Sequence, residues 1–259
     1  MNINGFYRFI ALICLILCNQ SASASYFPNL TKGVSSLSKP IYDLHMLMFY
    51  ICLVIGCITF GAMFYAIIWH RKSRGAVAKQ FHHNTTVEIV WTVIPSLILI
   101  LMAIPATKVL LQMADSSDSY LTIKATGIQW KWHYTYLDQG ISFTSNLSTP
   151  YSEIHGKKPK SKNYLLDVDR YVVVPVGKKV RILTTSNDVI HSWYVPDLGV
   201  KKDAVPGFIN ETWTLIERPG IYRGQCTELC GALHGYMPIV VEALPVTEYE
   251  AWAKKQKEL

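Results

Sequence analysis

From Met46 to Trp69 the chain runs for twenty-four residues without a charge. That exceeds the roughly 20 apolar residues an α-helix needs to cross about 30 Å of hydrocarbon. A second apolar run, from about Ile89 to Ala106, contains Pro95 and Pro105, which membrane helices tolerate where neighbours re-satisfy the backbone. Between the two lie Arg71, Lys72, Arg74 and Lys79, with no acidic residue before Glu88 at the start of the second run, the pattern of a cytoplasmic loop. The chain is therefore expected to enter the membrane and return, with everything from about Asp115 onward outside it, in the periplasm if the source is bacterial.

The ends of this hairpin carry further signals. Arg8, the apolar run Phe9–Cys18 and Ala22-Ser23-Ala24 read as a signal peptide over residues 1–24, because ten apolar residues are too few to span. A lipoprotein signal ending at Cys18 is disfavoured by bulky Leu17. Residues 25–44 are then an extramembrane segment and 45–111 the two-helix hairpin. Thr85-Thr86-Val87-Glu88 opens the second span as a capping box.

Charge separates the two halves. Residues 1–114 carry 8 Lys+Arg against 2 Asp+Glu, and the remainder 17 against 16. The surplus belongs to membrane topology rather than to a folded basic surface, which excludes nucleic acid as partner. Beyond residue 115 the pattern changes to short Val-, Ile-, Tyr- and Trp-rich segments between turns: 120–126, 129–136, 171–174, 180–184, 212–216, 221–223 and 238–241. They predict an antiparallel β-sandwich over 115–245, followed by a terminal helix from Thr247 to Lys257 within the tail 246–259. Lys157–Lys162 reads as a solvated loop.

The chemistry is concentrated in Cys226-Thr-Glu228-Leu-Cys230, His234 and Met237, twelve residues from first to last. Two thiols, an imidazole and a thioether form a run of soft ligands. His191, in Asp188-Val-Ile-His191-Ser-Trp193, is the candidate for an imidazole from a separate strand. His45, His70, His82 and His83 flank the spans, and His133 and His155 lack an accompanying motif. Cys14, Cys18, Cys52 and Cys57 lie in apolar runs and read as small buried residues. A disulfide leaves His234 and Met237 unexplained; a closed zinc site of Cys226, Cys230, His191 and His234 leaves Met237 unused; a mononuclear blue copper leaves one thiol over. Two thiolates bridging two coppers use every donor, but residue types alone leave zinc open.

The segments His191–Gly207, Gly224–Pro238, Gly127-Ile-Gln129-Trp130-Lys131-Trp132 and Glu88-Ile-Val-Trp91-Thr-Val-Ile-Pro95 closely resemble subunit II of cytochrome c oxidase, from about residue 40 to 253. The resemblance implies a transmembrane α-helical hairpin followed by an all-β cupredoxin-like Greek-key sandwich. It implies a dinuclear copper A centre with Cys226 and Cys230 bridging, His191 and His234 terminal, Met237 axial and Glu228 contributing its backbone carbonyl. It further implies that the Glu228 side chain helps bind magnesium at the seam with the catalytic haem-copper subunit I, that Trp130 receives electrons from cytochrome c, and that Glu88 lies at the mouth of a proton channel. The whole would be an aa3-type oxidase that reduces oxygen and pumps protons, with subunit III and the lipid bilayer as further partners, in a bacterial-type inner (plasma) membrane with the copper domain on its periplasmic face. Gln129, Asp138 and Asp188 are candidate docking residues.

Two readings of Trp130 conflict. The period-2 run Trp130, Trp132, Tyr134, Tyr136 reads as one buried strand face, so an exposed Trp130 requires a bend before Trp132. The chain also departs from the family: Phe208 follows Pro206-Gly207 where many relatives have Arg, altering a contact near the copper or the partner's haem propionates, and Lys131 replaces a common aromatic. With few acidic residues left nearby, chiefly Asp138 and Asp188, the donor is expected to be less basic than usual or docked through apolar contacts. No Cys-x-x-Cys-His occurs, so no c-type haem domain is fused on.

Overall fold

The computed structural model describes residues 29–258 except Lys79 and Phe81; the expected signal peptide, with Cys14 and Cys18, lies outside the described residues. Two long helices come first, α1 (Ser38–Trp69) and α2 (Thr85–Ala114), both highly apolar and both unburied along their apolar windows. A helix of 32 residues is about 48 Å long, so α1 exceeds the hydrocarbon thickness, and its first turns start ahead of the charge-free run. The reason lies outside the helix. Leu37 and Ser38 are buried, Ser35 Oγ donates to Leu198 O at 2.7 Å, and Val34 N donates to Asp197 O at 2.8 Å. The helix start is thus held by the outer domain rather than by lipid. Cys52 and Cys57, expected to be buried, lie on the outward surface of α1, because a lone hairpin has no interior to hold them.

The cap of α2 is shifted by one residue from the expected box. Asn84 is the N-cap, its side chain accepting from Val87 N at 3.2 Å, while Glu88 Oε1 accepts from Asn84 N at 3.2 Å. This reciprocal pair is a sufficient local reason for a carboxylate at Glu88.

The outer domain is a sandwich of two five-stranded sheets. One contains β3 (Ile141–Ser145), β2 (Lys131–Tyr136), β1 (Leu121–Ile128), β5 (Lys179–Ser186) and β8 (Asn210–Leu215), in that order. The other contains β4 (Val172–Pro175), β10 (Pro238–Leu244), β9 (Gly220–Cys226), β6 (His191–Val195) and β7 (Val200–Ala204). The one-turn α3 (Tyr151–Ile154) lies between β3 and β4, and α4 (Val246–Lys257) closes the chain with Glu248 in its first turn and three lysines in its last, favourable at the respective dipole ends. The expectation of a purely antiparallel sandwich is corrected: β1 pairs parallel with β5, and β4 parallel with β10. These are the crossovers of the cupredoxin-like Greek key.

Between the sheets, Trp132, Tyr134 and Tyr136 are fully buried, as their period of two requires. Trp193 Nε1 donates to Tyr134 Oη at 3.2 Å, and Tyr136 Oη donates to Val173 O at 2.9 Å. The two sheets are thereby tied by hydrogen bonds inside an apolar core, where a buried hydroxyl or indole N–H needs such a partner.

Strand directions send five connections to one end of the sandwich: 129–130, 146–171, 187–190, 205–209 and 227–237. The turns after β2, β4, β6 and β8 lie at the other end, where residues 34–36 preceding α1 bond to Asp197, Leu198, Leu215 and Glu217.

Candidate metal centre

Three of the five clustered connections, 129–130, 187–190 and 227–237, supply or support one group of donor atoms. β6 begins with His191, fully buried, and the β6–β9 register sets Trp193 opposite Cys226, the last residue of β9. The chain then loops back through Cys230 and a single helical turn at His234–Tyr236 to Met237, whose carbonyl accepts from Cys226 N at 3.1 Å. The side chains converge. Cys226 Sγ lies 3.9 Å from His191 Nδ1, 3.9 Å from Cys230 Sγ and 3.4 Å from Glu228 O. Cys230 Sγ lies 3.5 Å from His234 Nδ1 and 3.9 Å from Met237 Sδ. At that separation the two sulfurs are not bonded, and both cysteines are free. Among the described residues, His191, Cys226 and Cys230 lie close enough together to hold a metal ion. The donors' chemistry fits a soft metal: two thiols, two imidazoles, a thioether and a carbonyl. The site is dry, with Cys226, Cys230 and Met237 each at most 3% exposed.

Burial pushes both thiols up, but hydrogen bonds from His191 and neighbouring backbone bring Cys226 down to about 7. At Cys230, burial and the adjacent Cys226 push the thiol up to about 12. Binding a metal here therefore requires a proton to leave Cys230.

A second layer of contacts fixes the ring of His191. Its Nε2 lies 2.8 Å from Asp188 Oδ1, which leaves Nδ1 facing the sulfur. Asp188 also accepts from Gln129 N at 2.7 Å and Val189 N at 2.6 Å. Burial works against the Asp188 carboxylate, yet the Gln129 and Val189 N–H groups and the His191 ring hold it below the usual carboxylate range. Gln129 Nε2 and Trp130 Nε1 both donate to Cys230 O, at 2.9 and 3.1 Å.

Trp130 thus belongs to the two-residue turn between β1 and β2, where Ile128 pairs with Lys131. It does not share the buried face of Trp132; the turn supplies the required bend, and Trp130 is half-buried against the Cys230 loop. Of the three candidate docking residues, Gln129 and Asp188 are engaged in the metal loops. Asp138 lies in the β2–β3 turn at the opposite end, accepting from Thr122 N at 2.8 Å, so none offers a free carboxylate beside the donors. His133 is bonded to Thr144 and Ser142 and His155 lies in an exposed loop; neither approaches the cluster. Asp188 as a positioning group was missed by reading it as a surface acid, although its place three residues before His191 is the signal. Asp188→Asn is expected to keep the fold and lower copper affinity about 10- to 100-fold, measured by competition with a chelator.

Comparison with known proteins gives the following. The family description "Cytochrome C oxidase subunit II, periplasmic domain" matches residues 121–244, and "Cytochrome C oxidase subunit II, transmembrane domain" matches 23–109. A probable cytochrome c oxidase subunit 2 of Rickettsia felis is 39% identical over 254 residues, covering 96% of this chain and 79% of the relative. The mitochondrial cytochrome c oxidase subunit 2 of Glycine max is 42% identical over 227 residues, 86% of this chain and 57% of the relative. The crystal structure of the periplasmic domain of subunit II of cytochrome oxidase from Bradyrhizobium japonicum superposes with a TM-score of 0.50 at 40% identity, covering 55% of this chain and 97% of that one.

Proposed function

The chain belongs to the cytochrome c oxidase subunit II family, and on that premise we propose that it is the copper A subunit of an aa3-type oxidase that accepts electrons from cytochrome c and delivers them to the haem of catalytic subunit I. It is a membrane protein and a subunit of an enzyme complex, with no self-sufficient active site. The observation that carries the reading is the burial of two free thiols among His191, His234, Met237 and the Glu228 carbonyl, all at one end of the sandwich.

In this reading Cys226, Cys230, His191, His234, Met237 and the Glu228 carbonyl would hold two copper ions, with the two thiolates as the shared donors. Bound copper would supply reversible one-electron chemistry. The protein's part is rigidity: the His191 ring is clamped through Asp188, and the Cys230 carbonyl is held by Gln129 and Trp130. A donor set that cannot relax costs little reorganisation when charge changes. Trp130, half-buried with its N–H on the Cys230 carbonyl, is proposed as the point where electrons arrive. Glu228, whose side chain is exposed, is proposed to share a magnesium ion with subunit I, a hard carboxylate suiting that cation. The same reading assigns Glu88 to the mouth of a proton path beside its role as a cap, gives the complex a third subunit, and puts the copper domain on the periplasmic face of a bacterial-type inner membrane. The domain assignment is carried likewise: signal peptide 1–24, outer segment 25–44, hairpin 45–111, copper domain 115–245 and a short terminal helix and tail over 246–259.

A closed zinc site on Cys226, Cys230, His191 and His234 is the rival. Metal analysis of the purified complex decides: two coppers attributable to this chain, with a mixed-valence spin-resonance signal, are expected. One zinc per chain with no such signal would replace the reading.

A further inference from the structure

The β3–β4 connection, residues 146–171, leaves and rejoins the sandwich at the end that carries the metal loops. Within it lie Lys157, Lys158, Lys160 and Lys162, all exposed. None of the four forms an ion pair among the described residues; Lys160 Nζ sits 4.5 Å over the Tyr164 ring. In sequence this run reads as a solvated loop. Its surroundings give it more meaning.

Several carboxylates at this end are already engaged by neighbouring groups. Glu153 accepts from Ser161 N at 2.8 Å and so pins the lysine loop to its own helical turn. Asp167 is taken by Tyr171 and Arg223, Asp169 by Asn146, and Asp188 by the His191 clamp. Glu228, exposed within the metal loop, has no such partner among the described residues. The lysine loop therefore puts exposed positive charge at the metal-bearing end of the sandwich, in the same connection as exposed Tyr151. The membrane helices join the domain at its other end and along β8, which removes the most immediate alternative, a lysine cluster serving lipid headgroups beside the spans.

We propose that Lys157, Lys158, Lys160 and Lys162 form a docking surface for an electron-donor protein with an acidic face, the reverse of the usual acidic surface for a basic cytochrome c. This rests on the reading of the copper loop as acceptor from a protein donor. Opposite charge on the two surfaces raises the encounter rate and fixes orientation, and salt screens both effects.

The test uses the complete oxidase in nanodiscs of neutral lipid, with wild type and the variant Lys157→Glu, Lys158→Glu, Lys160→Glu, Lys162→Glu. Equilibrium binding and turnover are measured with two c-type cytochromes, one strongly acidic and one strongly basic, across a range of salt. Ascorbate with a small neutral mediator serves as a donor that needs no docking. The wild type is expected to bind the acidic cytochrome more tightly, with affinity falling as salt rises. The variant should lose that affinity about tenfold or more at low salt while its rate with the mediator is unchanged. Preference of the wild type for the basic cytochrome, or indifference of acidic binding to the variant, overturns the proposal. So does lysine-dependent capture by vesicles of anionic phospholipid with protein-donor binding unaffected. A wild-type complex that the mediator cannot drive overturns the acceptor reading, and this one with it.

Discussion

On the proposed copper assignment, Cys226→Ser is expected to abolish the dinuclear copper spectrum and lower turnover with cytochrome c at least about a hundredfold, beyond what the loss of a supporting contact to a ligand produces. The argument is geometric. Cys226 Sγ has three other donors around it: His191 Nδ1, Cys230 Sγ and the Glu228 carbonyl, at 3.4 to 3.9 Å. A serine oxygen is a hard donor with a far higher pKa than a thiol, and it cannot be shared between two soft ions as a thiolate can. Serine is also close to cysteine in size. The Trp193–Cys226 register and the backbone bond from Cys226 N to Met237 O do not depend on the sulfur. The apo-protein should therefore fold, at a cost of about 1–3 kcal/mol for a buried hydroxyl with a poorer partner. Copper content by metal analysis, the spin-resonance signal and thermal unfolding of the metal-free complex check the three parts. A variant that keeps two coppers and the signal would show that Cys226 is not a bridging ligand.

Local chemistry explains what the sequence makes legible. The hairpin announces itself because twenty-four uncharged residues have no other solution in water or lipid. The donors announce themselves because four soft ligands fall within twelve residues, and β6 delivers the fifth from a recognisable strand. What was not legible depends on contacts between distant segments. The start of α1 at Ser38 is set by Asp197 and Leu198 on the outer domain, which no hydropathy window sees. β7 reads Val-Lys-Lys-Asp-Ala, too polar to stand out, yet as an edge strand it buries only its first and last residues. β3 likewise does not stand out as a strand, and the parallel pairing of β1 with β5 follows from the topology rather than from either segment. Trp130 illustrates the limit most sharply. Period alone puts it on the buried face with Trp132, and only the register of the β1–β2 turn frees its ring to lie against Cys230.

The same turn region holds the second large effect, in a residue with no donor atom of its own. Gly127 is the penultimate residue of β1, paired with Trp132 on one side and Ser186 on the other. A Cβ there would stand 2.5 Å from His191 Cδ2 and 2.8 Å from Cγ. Both parties are held. Two ladders hold the strand, while the imidazole is fully buried, faces Cys226 through Nδ1 and is held through Nε2 by Asp188. Gly127→Ala must then either shift the ring away from the sulfurs or part the sheets, an overpacking that costs typically 1–3 kcal/mol. Because the ring is the least anchored of these groups, the strain is expected to appear first in the metal centre: an altered copper spectrum, copper affinity down at least about tenfold, by analogy with losses of ligand positioning, and a modest fall in thermal stability. Chelator competition and the optical spectrum of the purified complex measure this. Asp188→Asn combined with Gly127→Ala should lose less than the two effects added, because both act through one ring; full additivity would mean that the glycine serves the sheet and not the histidine.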